Sequence, residues 1–313
     1  MCYLPARWGR DRERRGDQGM WIAFALIAAV CMAGSSFSLK RAVEHGGAVV
    51  STFAARSVAG VLLLGLVAAT GTWHPLTPAY WTAVGLVLVP EILGTIFLTL
   101  ALRSGDLSLV QPILGLLPGL VMLGGVVLLG EVPTLPAGAG VVLVTLGVYC
   151  VGLQGGGSLL EPIRALGRTP ASWYALGSAA AWSLSTLVHK RGIAAVGPFP
   201  WAATLAFVSA IGLGLVLPLL ARRTKGELGW PEDKGPWVRF VCLGGLAFAV
   251  QQMGLHTALR LAQAGYVIAI SSTGILVATA LGILVLGEHA AARTRAAGAL
   301  LVCAGAMLIA LFG

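Results

Sequence analysis

The sequence predicts an all-α integral membrane protein of ten transmembrane helices, laid out as two inverted five-helix repeats. Three observations predict it: a composition too apolar for water, ten apolar runs of membrane-spanning length, and landmarks that recur in the same order in both halves. Of 313 residues, 57% are hydrophobic and only 11% charged. A soluble domain carries roughly 25% charged residues, so most of this chain must be solvated by lipid.

A helix needs about 20 apolar residues to cross a hydrocarbon core of roughly 30 Å. Such runs lie at about 20–39, 48–69, 80–102, 107–129, 135–153, 171–188, 199–220, 237–259, 264–286 and 294–312. Ten-residue segments of alternating polarity, the mark of a membrane barrel, are missing, so the runs are helices. Short connections predict antiparallel hairpins between sequence neighbours. The first run, from "MWIAFALIAAV", follows a basic stretch and has the look of a signal peptide. It reads instead as the first span, because the repeat needs it as the partner of the sixth. The chain divides into a basic tail (1–19), a first repeat (20–153), a linker loop (154–170) and a second repeat (171–313).

The repeat rests on spacing. Lys40-Arg41 follow the first run and Lys190-Arg191 the sixth, 150 positions later. "ALR" ends at Arg103 and at Arg260, and "LGE" at Glu131 and at Glu288, each pair 157 positions apart. The longer loop at 221–236 accounts for the difference. Tyr80 and Trp237 also correspond, and each is expected at a membrane interface, where amphipathic rings belong. Because five is odd, the second unit enters the membrane from the opposite side, which is the plan of many secondary transporters. Both termini therefore share a side, although the distribution of basic residues does not fix which.

In "LGE", Gly130 and Gly287 suit the left-handed end of a helix. Glu131 and Glu288 then precede the fifth helix of each half, where a carboxylate meets the positive end of the helix dipole. The alternative to this structural role is gating or solute contact.

The net charge of +9 comes from basic residues at the ends of runs and in the tail. Anionic lipid headgroups explain that placement, and without a basic face no nucleic-acid partner is expected. The five cysteines form no CxxC pair, so neither a disulfide framework nor a metal site is indicated. Phosphate loops, HExxH pairs and nucleophile elbows are not found. Enzymatic chemistry, cofactors and ATP-driven transport are therefore not expected.

Two stretches carry a family resemblance: "ALRSGDLSLVQPILGLLPGLVMLGGVVLLGEVPTLPAGAGVVLVTLGVYCVG" and "ALRLAQAGYVIAISSTGILVATALGILVLGEHAAARTRAAGALLVCAGAML". With "FAARSVAG" and "SFSLKRA", they resemble the EamA-like family of the drug/metabolite transporter superfamily over roughly residues 20–313. The resemblance implies ten helices, alternating access and movement of small organic solutes. Two departures stand out: Pro118 has Ile275 at its repeat position, and Arg56 has no arginine counterpart in the seventh helix.

Ionisable groups inside the membrane are the first candidates for function. Glu91, after Pro90, is the only acid within a run, and Arg56 the only base deep within one. Either they pair, or Glu91 lines a central cavity, carrying a coupling proton or binding a cationic group. Gln251 and Gln252 occupy the repeat positions of Gly94 and Thr95, just beyond Glu91. With Gln111, Trp182, Tyr266 and Ser272 they complete the candidate substrate-binding or coupling set, the amides alternatively bonding neighbouring helices. Arg56, Pro118, Gly130, Glu131, Gly287 and Glu288 are assigned structural roles. His256, within a turn of the run's end, reads as an interface histidine. "AGAG" (137–140) and "AAGA" (296–299) permit close helix contact, between the halves or in a homodimer.

The functional expectation is a secondary transporter of small organic metabolites or drugs in the cell membrane, of bacterial inner-membrane type, working in export. A coupling proton or a counter-solute would drive it, with lipid as its other partner. A membrane-embedded enzyme and a non-transporting scaffold or sensor are the alternatives.

Overall fold

The computed structural model describes residues 7–72, 76–104, 107–153, 169–221, 229–231, 233–277, 280 and 292–313. Every predicted run is mainly helical over its described residues, and no strand occurs among them. In chain order the helices are α1 (Arg7–Val43), α2 (Ala48–Thr70), α3 (Pro78–Ser104), α4 (Leu107–Leu114), α5 (Leu117–Leu129) and α6 (Leu135–Gly152). Then come α7 (Pro170–Val196), α8 (Pro198–Ala221), α9 (Lys234–Leu261), α10 (Ala264–Ser272) and α11 (Ala292–Phe312). Among the described residues, six stretches are long and apolar enough to cross a membrane: those within α1, α2, α3, α8 and α9, and Pro112–Leu129 across α4 and α5. α6, α10 and α11 contain shorter apolar ones. α1 begins at Arg7 and runs unbroken into the first apolar run.

The fourth and ninth runs depart from the expectation of continuous helices. Between α4 and α5 the Leu116 N–H bonds back to the Ile113 carbonyl at 3.1 Å, and after α10 the Thr273 N–H bonds to Ile270 at 3.0 Å. Both are three-residue bonds that tighten the last turn, and the two sites are 157 positions apart. Pro118 follows the first break, but Ile275 stands at the same place after the second. Proline is therefore not what the interruption requires.

Sequence neighbours are not the main packing partners. The most extensive contacts join α1 to α9, α3 to α7 and α6 to α11, with α2 on α8 and α5 on α10. Each of these pairs takes one helix from each half, so the core lies between the halves. Trp21 and Gly313 line one cavity, which puts the start of the first apolar run and the end of the chain at the same end of the bundle.

Glycine sets the closest of these contacts. The small-residue stretches of α6 and α11 pack between the halves but not on each other: Gly140 of "AGAG" meets Gly305, and Gly298 of "AAGA" meets Gly147. A methyl group on Gly147 would sit 2.7 Å from the Gly298 carbonyl oxygen, and one on Gly298 would sit 2.7 Å from the Gly147 oxygen. Gly140 faces Gly305 in the same way. Without a strong hydrophobic drive inside lipid, such backbone approach is what holds helices together.

Gly147→Val should therefore overpack the seam and cost about 1–3 kcal/mol, read as a lower unfolding midpoint in detergent. Gly65→Ala on the open face of α2, where nothing lies within 4 Å, should leave the midpoint unchanged or raise it.

Candidate functional site

Glu91 sits within α3, which continues as one helix through Pro90. Its two carboxylate oxygens are claimed by two helices of the other half. Ser185 on α7 donates its hydroxyl to Oε2 at 2.8 Å, and Ser209 on α8 donates to Oε1 at 3.2 Å. An ionised carboxylate only accepts, so two hydroxyl donors suit it; when protonated, it can donate back to a serine oxygen. The cluster thus accommodates both protonation states.

Arg56 on α2 lies over the ring of Phe248 on α9, its guanidinium carbon 3.3 Å from the centroid. It is within electrostatic reach of Glu91, but the direct pair the sequence allowed does not form among the described ion pairs. The two contacts are the same place in the two halves. Glu91 and Phe248 are 157 positions apart, and Arg56 and Ser209 are 153 apart. The second offset also separates Ser51 from Thr204, which anchor the starts of α9 and α3. Trp237 Nε1 donates to Ser51 at 2.9 Å, and Tyr80 and Thr204 share a hydroxyl bond of 3.1 Å. Trp237 is accordingly buried, not displayed at an interface.

Trp182 on α7 packs into a notch one turn beyond Glu91. A methyl group on Gly94 would come within 2.6 Å of its indole, and Ser178 donates to the Gly94 carbonyl at 2.9 Å. Gln252 is buried on α9 and Gln251 is half-buried. Ser272 donates to the Ile268 carbonyl of its own helix at 2.7 Å, just before the break. Gln111 falls within α4, but its side chain lies outside what is described, as do Gly287 and Glu288 altogether. Ser209 and Phe248 were missed by sequence reasoning. The 157-residue offset applied to Glu91 would have pointed to Phe248, but the 153 that relates Arg56 to Ser209 is not among the offsets the sequence landmarks show.

The other polar cluster closes one end of the bundle. Gly130 ends α5 in the left-handed conformation, φ 68°, and the turn sends Glu131 across to the second half. There Oε2 accepts the Ala264 N–H at 2.8 Å, at the first residue of α10. Oε1 pairs with Lys190, which also donates to the Ala262 carbonyl at 2.7 Å. The expected dipole partner is therefore corrected: Glu131 caps α10, while α6 is capped by Thr134, whose hydroxyl accepts from Ala137. Tyr266, expected near the solute, sits here and accepts the Thr134 N–H at 2.9 Å. Gln263 donates to the Val132 carbonyl at 3.2 Å, and Thr134 to that of Phe312 at 2.8 Å. His256 is wholly buried, not an interface histidine.

Cavities lie around these clusters, and the one lined by Val89, Pro90 and Leu93 adjoins Glu91.

The chain was compared with known proteins. A model of the EamA-like transporter family matches it twice, over 19–153 and 169–311. No curated protein matches. One solved crystal structure superposes with a TM-score of 0.68 at 17% identity, covering 93% of this chain and 96% of that one. This last likeness shows the fold alone.

The Glu131–Lys190 pair should behave as a coupled unit. In a double-mutant cycle of Glu131→Gln and Lys190→Met, thermal unfolding in detergent should return a coupling energy of about 0.5–3 kcal/mol. Strict additivity would show that the pair ties nothing.

Proposed function

The chain belongs to the EamA-like transporter family, and we propose that it is a secondary transporter, an exporter of small organic solutes by alternating access. In this reading ten helices cross the membrane as two inverted five-helix repeats, and the halves rock about the glycine seam of α6 and α11. The packing supports it: exchanging the halves turns α1 on α9 into α7 on α3 and leaves α2 on α8 and α6 on α11 in place. Interrupted helices at matching positions are a further mark of transporters built from inverted repeats.

The Glu91 cluster is the observation that carries the reading. A carboxylate deep in a membrane helix is costly, and here its only hydroxyl donors among the described residues come from the half that must move past it. Each swing of the halves would break and remake those bonds. Glu91 would hold a proton in one swing and a cationic group of the solute in the other. Trp182, packed one turn beyond it, fits the apolar body of a small organic amine. The Glu131–Lys190 cluster would be the gate at one face.

The test is uptake into proteoliposomes with an acidic interior, screened over radiolabelled organic amines and amino acids. For any solute that the wild type accumulates, Glu91→Gln should lower the pH-driven rate by about tenfold or more, the loss expected when a barrier rises by at least 1.4 kcal/mol. Equal rates in the two proteins would remove Glu91 from coupling. No accumulation of any solute by the wild type would favour a scaffold or sensor.

A further inference from the structure

We propose that His189 and His256 form a gated proton-binding site between the Lys190 end of the bundle and Glu91. His189 on α7 is 5% exposed and His256 on α9 is 0% exposed. Their rings meet edge to face, centroids 5.1 Å apart and planes at 81°. Trp201, also fully buried, packs edge-on against His189 at 6.2 Å. Among the described residues, Nδ1 of His189, both ring nitrogens of His256 and Nε1 of Trp201 have no hydrogen-bond partner. The Gln252 carbonyl lies near the His256 ring but outside hydrogen-bond geometry. Folded proteins leave few buried polar atoms unanswered, and four around one contact call for an explanation.

The duplicated packing does not demand these imidazoles. By the repeat offsets, Leu39 stands for His189 in the first half and Thr99 for His256. The pair belongs to one end only, and it lies on a polar stripe. On α7 His189 is one turn beyond Ser185, the residue that donates to Glu91. On α9 Gln252, His256 and Arg260 follow at four-residue steps and share a face. The stripe therefore runs from the carboxylate out to the bundle end.

The end is held shut by Glu131 and Lys190. A cavity of about 550 Å³ lies there, lined by Lys190, Ile193, Gly197, Leu259 and Arg260 among others, and one of about 390 Å³ by Lys190, Arg260 and Tyr266. The charged and titratable groups around the pair are Lys190 on α7, Arg260 on α9, Tyr80 of α3 bonded to Thr204, Tyr266 of α10 bonded to Thr134, and Glu131, which is taken by Lys190. A positive ring enclosed there would have cations and no spare carboxylate nearby. Sealed, the two rings are neutral. When Lys190 leaves Glu131, water enters and one imidazole nitrogen takes a proton from it. On resealing, that proton can leave only inward, toward Ser185 and Glu91. Because the open state binds the extra proton, acid at this end favours opening.

The purpose of the site rests on the transporter reading, but the site itself is tested without solute. Protein with ¹⁵N-labelled histidine rings in lipid nanodiscs is titrated from pH 8 to 5, with His189→Gln and His256→Gln assigning the signals. In the wild type both rings should stay neutral until the acid end of the range, where opening begins. In Lys190→Met, and independently in Glu131→Gln, at least one should titrate at a clearly higher pH. The same titration in the wild type as in both latch variants, or none in either variant, would overturn the proposal. Glu91→Gln should leave the wild-type result unchanged, so a failure of solute coupling and a failure of this site give different outcomes.

Discussion

A carboxylate in the middle of a bilayer has no water to satisfy it, and the protein must supply every donor it uses. Glu91 receives its donors from Ser185 and Ser209, two helices of the opposite half. That arrangement makes the most expensive group in the membrane depend on how the halves sit against each other. The glycine contacts of α6 and α11 serve the same end by apolar means, since they let two backbones approach until little but carbonyl oxygen lies between them. One interaction is polar and local, the other broad and van der Waals, and both are lost if the halves separate.

Duplication supplied the frame, and divergence supplied the chemistry. Position for position, the Glu91–Ser209 contact in one half-interface is the Arg56–Phe248 contact in the other. Two copies of the first half would set a carboxylate against an arginine at both places, an ion pair in each half-interface. Here each charge meets a neutral partner instead, and the two remain within electrostatic reach of each other. The anchors at Tyr80–Thr204 and Trp237–Ser51 kept their roles through the same change, because an aromatic polar tip against a small hydroxyl tolerates substitution of either ring.

Much of the fold was legible because lipid imposes simple rules on sequence. The apolar runs matched the described helices except at the breaks in the fourth and ninth, and Gly130 adopts the left-handed end that its position before Glu131 predicts. Partners were less legible. Periodicity says which face of a helix is small or polar but not which distant helix will meet it, so Glu131 was matched to α6 when it caps α10. As the only acid and the only deep base within the runs, Glu91 and Arg56 could be paired on paper, but sequence alone does not decide which way either side chain faces. His256 looked interfacial from its nearness to Arg260, yet the crossing of α7 over α9 buries it completely. The breaks after α4 and α10 are set by backbone bonding, which Pro118 signals in one half and nothing signals in the other.

The account stands on the two halves parting at the end closed by Glu131 and Lys190. Pulsed electron resonance between spin labels at Leu135 and Leu261, two exposed positions on either side of that cluster, measures this directly once the native cysteines are replaced. Two distance populations should appear in lipid, with the longer one growing in acid and in Lys190→Met. A single distance, unmoved by either, would contradict it.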